Sequence, residues 1–178
     1  MRPTCPSPSR RLSAVAGVLV LAGCGVVADL IPDSLLDGRT PRERYAARLE
    51  YAGLAEVALV QDWERAGDRA LVEAPLVTAP HAEEGYLPPA EPSALAWRIQ
   101  ARRGQVLEFT VVLAGDSVTQ LFLDAWERSA DSSWRPVASA DSGQRLLVLE
   151  PRRDGEFAVR AQPELLRGGR FSATLRVR

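Results

Sequence analysis

Among the groups in this chain that could do chemistry, the sulfur of Cys24 stands in the most telling surroundings. It closes an apolar run of eleven residues that begins at Leu12, behind Arg2, Arg10 and Arg11, and it follows the small pair Ala22-Gly23. That order has a physical logic for export. The arginines stay on the cytoplasmic side, the apolar run partitions into the bilayer, and small residues fit a narrow peptidase site. The run is too short to span a membrane stably, which takes about 20 apolar residues. Were residues 1–23 removed as an export leader, Cys5 would go with them, leaving one cysteine and no internal disulfide.

The remaining candidates for catalysis are sparse. His81 is the sole histidine and lies in a proline-rich stretch, too little for a zinc site of ordinary ligands or for a Ser-His-Asp triad, and no Gly-x-Ser-x-Gly elbow is present. A Ser-Lys dyad is excluded because the chain has no lysine. Acid pairs for glycoside hydrolysis could be drawn from Asp124 and Glu127 or from Glu83 and Glu84, although neighbouring acids are usually solvated surface. Asp141-Ser142-Gly143 suits a turn better than a calcium loop. Trp126 and Trp134 flank the Asp131-Ser132-Ser133 turn. Exposed together they would stack on sugar rings; packed across a hairpin they would be a cross-strand pair. No cofactor is expected.

Composition narrows the partners. Every basic residue is arginine, there is no asparagine, and isoleucine occurs only at Ile31 and Ile99, a pattern of GC-rich codon usage rather than of an arginine-specific surface. The formal charge is -1, and loss of the three leader arginines takes the mature chain to about -4 with both signs interspersed. Nothing points to a nucleic-acid partner, which would call for a clustered basic patch.

The elements that would carry these residues follow from spacing. Residues 24–39 read as a tether. Thr40-Pro41-Arg42-Glu43 is a capping box with proline at the first helical position, opening a helix with Tyr45, Leu49 and Ala52 on one stripe and a stop at Gly53. A second helix, about Ala55 to Val72, places Leu59, Trp63, Ala66 and Ala70 on one face, completing a helical hairpin over residues 40–73. Residues 74–93, with Pro75, Pro80, Pro88, Pro89 and Pro92, form a linker or a wrapped edge segment. From Ala94 the period becomes two. Seven strands are expected over 94–178: Leu95–Ala101, Leu107–Leu113, Gln120–Glu127, Trp134–Ser139, Arg145–Glu150, Glu156–Gln162 and Arg170–Val177. With no helix between them, they predict an antiparallel β-sandwich whose core holds Trp97, Phe109, Phe157 and Phe171.

Two resemblances extend this reading. Leu21-Ala22-Gly23-Cys24 resembles the lipobox of bacterial lipoproteins, which implies a diacylglyceryl thioether on Cys24 and a mature protein held on the membrane by lipid. Gly25, rather than aspartate, after the cysteine favours the outer membrane. The segment from Ala94 to Val177 is similar to the bacterial pre-peptidase C-terminal domain, a jelly-roll-like sandwich found beside secreted peptidases. The similarity rests on Trp97 through Gln105, Leu121-Phe122-Leu123, Ala138-Ser139-Ala140-Asp141, Asp154 through Arg160, and Gly169-Arg170-Phe171. The longer stretch from Tyr45, with Ala52-Gly53-Leu54, Asp62-Trp63, Glu84-Gly85-Tyr86 and Gln162 through Gly169, resembles the region ahead of the zinc domain in lysostaphin-type peptidoglycan peptidases. That zinc domain would begin where this sequence ends.

Together these imply a lipid-anchored, non-catalytic accessory or binding module of the cell envelope, facing the periplasm, with peptidoglycan or envelope proteins as partners. The alternatives are the front part of a lysostaphin-type zinc endopeptidase, separable by the coding sequence downstream of Arg178, and a carbohydrate-binding module using Trp126 and Trp134.

Overall fold

A computed structural model describes residues 38–114, 120–141 and 143–178. Cys24 and the tether as far as residue 37 lie outside the described residues, as does Ser142. The first helix, α1 (Pro41–Tyr51), starts as the sequence dictates: the Glu43 amide donates to the Thr40 hydroxyl at 3.2 Å, and the Thr40 amide donates to the Glu43 carboxylate at 2.8 Å. Gly53, at φ +75°, takes the left-handed conformation that ends the turn. The second helix, α2 (Ala58–Glu73), begins three residues later than expected, because residues 55–57 form a turn and Val57 offers no capping side chain. Its buried face is Val60, Trp63, Ala66, Gly67 and Leu71. Trp63 and Ala66 lie on the expected stripe, whereas Leu59 and Ala70 sit at its edge and are only half-buried.

Among the described residues nine strands follow: β1 (Leu76–Val77), β2 (His81–Leu87), β3 (Leu95–Ala101), β4 (Leu107–Leu113), β5 (Leu121–Arg128), β6 (Trp134–Ser139), β7 (Leu146–Leu149), β8 (Gly155–Pro163) and β9 (Gly169–Val177). The strand count is therefore nine rather than seven, and the two additional strands come from the proline-rich stretch. Pro80 and Pro88 stand immediately outside β2, so neither removes a donor from it, and all seven of its residues pair with β9. The seven expected strands pair antiparallel throughout, and the two-residue β1 of the proline-rich stretch adds a parallel pairing with β3.

The sheets have strand orders β1-β3-β8-β5-β6 and β2-β9-β4-β7. Leaving β1 aside, the eight strands interleave as 3-8-5-6 over 2-9-4-7, which is the jelly roll. Side chains in the inward phase of each strand fill the space between the sheets. Trp97, Phe109, Phe157 and Phe171 are all buried there, with the Trp97 and Phe109 rings 5.2 Å apart.

The five-stranded sheet is buried on both faces. Leu121, Leu123 and Ala125 of β5 face the sandwich core, and Phe122 and Asp124 face the helices. Tyr45 of α1, Trp63 of α2 and Phe122 form an aromatic cluster with centroids 5.2 to 6.1 Å apart, and the Trp63 indole donates to the Pro163 carbonyl at 2.8 Å. The hairpin is thus a third layer on the sandwich.

Candidate functional site

The layer between hairpin and sheet holds the polar groups that an alternating strand pattern would place in water. Arg160 of β8 donates from Nη2 and Nε to one oxygen of Asp124, at 2.7 and 3.2 Å, and from Nη1 to the Gly67 carbonyl at 3.3 Å. Gln162 donates to the Trp63 carbonyl at 2.6 Å and accepts from Arg42 Nε at 2.6 Å. Arg42 also lies over the Trp63 ring, 4.6 Å from its centroid. Burial, and then the nearby Arg160 charge, lower the Arg42 pKa to about 10, so the group stays a cation at neutral pH. Burial likewise raises the Tyr45 phenol, although the Leu165 amide donates to its oxygen at 3.2 Å. Arg42, Arg160 and Gln162 tie helix to sheet, and Asp124 holds Arg160 from the neighbouring strand. Gly67 permits the close approach, since a Cβ there would meet Gln162 Oε1 at 2.5 Å.

Trp126 and Trp134 come together on this same face. Trp126 pairs with Pro136 and Trp134 with Arg128, which makes the two tryptophans diagonal neighbours rather than a direct cross-strand pair. Both are partly buried against Leu71, Ala74, Ala96 and Ala158. The Arg160 guanidinium lies 5.3 Å from the Trp126 ring centroid, and that of Arg128 lies 4.9 Å from the Trp134 centroid. The Trp126 indole N–H is buried without an acceptor among the described residues.

The acid pairs are separated by strand geometry. Asp124 and Glu127 are three residues apart in β5 and so lie on opposite faces, Asp124 under the helices and Glu127 in the inward phase at one end of the sandwich. Glu83 and Glu84 alternate in β2 in the same way, with Glu83 accepting from the Trp97 indole at 2.7 Å and lying 3.5 Å from His81 Nε2. Among the described residues no three His, Cys, Asp or Glu side chains are grouped so as to hold a metal.

Sequence reasoning missed what surrounds Glu127. Its side chain is 5% exposed, and its two oxygens accept from Arg135 Nη2 at 2.5 Å and Arg153 Nε at 2.6 Å. The Arg153 hydrogen bond first, and that of Arg135 after it, hold the carboxyl below its ordinary range against the opposing effect of burial. This ion triad forms one wall of a cleft of about 420 Å³ that also includes Glu150 and Arg152 and has an apolar side of Pro136, Val137, Leu149, Pro151 and Phe157. A signal existed in the sequence: after Leu121, Leu123 and Ala125, an acid occupies the next inward position of β5.

No protein-family profile matches the chain, and no curated protein matches it at a significant level. Solved structures do resemble it in part. The periplasmic inhibitor of g-type lysozyme PliG from Aeromonas hydrophila superposes with a TM-score of 0.43 at 11% identity, covering 59% of this chain and 95% of the other. The Yersinia pseudotuberculosis-derived mitogen gives 0.46 at 10% identity, covering 57% and 88%. The pre-peptidase C-terminal domain of the Bacillus anthracis collagenase gives 0.43 at 11%, covering 60% and 95%. All three superpose with TM-scores below 0.5, so the function has to be argued from this chain's own residues. No helix among the described residues is long and apolar enough to cross a membrane.

Proposed function

We propose that the mature chain is a lipid-anchored, non-catalytic binding module of the bacterial cell envelope, tethered through Cys24 and acting beside the peptidoglycan or the enzymes that cut it. One observation carries this reading: an arginine-led apolar run, too short to span a bilayer, ends in Leu21-Ala22-Gly23-Cys24 ahead of a folded jelly roll. The acyl chains provide the anchoring energy, about 0.8 kcal/mol for each buried methylene. Strand alternation sends Asp124 and Glu127 to opposite faces, so that pair is not assembled for acid-base chemistry.

Fractionation of a Cys24→Ser variant tests the anchor. The wild type should stay with membranes through a high-salt wash and the variant should leave them; a processed variant that remains bound overturns the lipoprotein reading. Co-sedimentation of the protein with insoluble peptidoglycan tests the binding role, and zinc-dependent release of muropeptides in the same assay overturns the non-catalytic one.

A further inference from the structure

We infer that the cleft beside Glu127 is a binding site for the carboxylate of a short apolar peptide. This deepens the binding-module reading and rests on it for a partner, yet it does not require the lipid anchor. The central observation is a carboxylate, 95% buried, whose only described role is to hold two guanidinium groups at the mouth of a cavity. Glu127 engages Arg135 through one nitrogen and Arg153 through another, which leaves further N–H donors on both. The side chains of both arginines remain more than half exposed, at 61% and 57%, so these donors reach solvent. Arg152 lies on the same cleft, is exposed, and has no ion-pair partner among the described residues.

The cleft continues into a second hollow of about 630 Å³ that shares Val137, Leu149, Glu150, Pro151 and Arg152 and adds Arg103 and Gln105. Four arginines thus line the pair of hollows against two glutamates, in a chain whose overall formal charge is -1. The net positive charge is local, and it favours an anion. Two lining carboxylates disfavour a polyphosphate or any densely charged polymer, whereas a single carboxylate matches a fork of guanidinium donors. The apolar side fixes the rest of the ligand. Pro136, Val137, Leu149, Pro151 and Phe157 offer contact to small apolar side chains next to the acid, and about 420 Å³ is the size of a small-molecule pocket, which suits two or three small residues. Glu127 acts by position: with both guanidiniums already held, less side-chain freedom is lost when a ligand binds.

The test is calorimetric titration of the full mature chain in detergent micelles with N-acetyl-alanyl-alanine, its C-terminal amide, and inorganic phosphate. The acid should bind saturably, and both the amide and phosphate should bind at least about tenfold more weakly, as expected for losing a charge-assisted hydrogen bond or the apolar contacts. Arg152→Gln, at an exposed and unpaired position, should weaken the acid about tenfold with an unchanged melting temperature. Equal binding of acid and amide, phosphate binding as tight as the peptide, no saturable binding of the acid, or full affinity in Arg152→Gln each overturns the assignment. Membrane release by Cys24→Ser is read separately, so failure of the anchor and failure of the cleft are distinguishable.

Discussion

Replacing Asp124 by alanine should destabilise the protein by about 3–5 kcal/mol, the loss typical of stranding one partner of a buried ion pair. The side chains of Asp124 and Arg160 are 4% and 3% exposed. Without Asp124, Arg160 loses its contacts at 2.7 and 3.2 Å and keeps the Gly67 carbonyl at 3.3 Å, Asp68 at 4.0 Å and the Trp126 ring, 5.3 Å away at its centroid. Asp68 is 78% exposed, so water screens it, and it compensates by less than about 1 kcal/mol. Arg42 adds to the loss, because its cation and that of Arg160 repel each other and Asp124 is the buried carboxylate that offsets both. Against a typical stability of about 5–15 kcal/mol, the variant should be marginal. Urea unfolding followed by tryptophan fluorescence measures the change by linear extrapolation. An Asp124→Leu, Arg160→Met double variant should recover most of the loss, since it buries no unpaired charge. A single-variant loss below about 1 kcal/mol would refute the reasoning, because it would mean the pair behaves as a solvated surface bridge.

Phe109→Ala should cost about 3–5 kcal/mol in the same assay, given a ring that is 2% exposed and packed on Trp97. Gly67→Ala should lose about 1 kcal/mol despite the better helix propensity of alanine, because the new methyl displaces Gln162 and Arg42 from their hydrogen bond; a stabilised variant would show that both side chains move aside freely. Glu127→Gln should be less stable than wild type at neutral pH. Because the folded-state pKa of Glu127 is depressed, its contribution is complete above the ordinary value of 4.5 and is lost as pH falls through the lower folded value, so the two unfolding curves should converge in acid. A gap that stays constant down to strongly acidic pH contradicts the arginine assignment.

Much of the sandwich was legible because period-two alternation marks phase directly: Trp97, Phe109, Phe157 and Phe171 each fell in the inward register that the structure shows. The capping box at Thr40 was equally readable, since it depends on residues three apart. The strand β2 was hidden because proline suppresses a strand only where it sits, and Pro80 and Pro88 sit just outside. The buried role of Asp124, Arg160 and Gln162 was hidden for another reason. Alternation tells which face a side chain takes but not whether a third layer covers the outer face, and the covering helices lie about a hundred residues earlier in the chain. The cleft joins Glu127 to Arg135 in the adjacent strand and to Arg153 in the turn before β8, a meeting that pairing register creates and local spacing does not announce.

The attachment of the hairpin to β5 and β8 also sets the order in which the molecule can close. Arg42 meets Gln162 and Tyr45 meets Leu165 across 120 residues, and Trp63 reaches Pro163 across 100. The helices are synthesised first, can meet Phe122 only once β5 is made, and gain their hydrogen-bond partners only with β8, while β9 must still enter between β2 and β4. Such non-local closure folds slowly, on the millisecond-to-second scale of all-β topologies, and leaves Tyr45 and Trp63 incompletely covered in the meantime. A chain interrupted before β8 would therefore carry a helical pair without its hydrogen-bond partners and with its aromatic face incompletely covered, the kind of surface that quality-control proteases and chaperones engage. Completion of the sandwich and full concealment of that face go together, so the hairpin reports whether the rest of the molecule has been made.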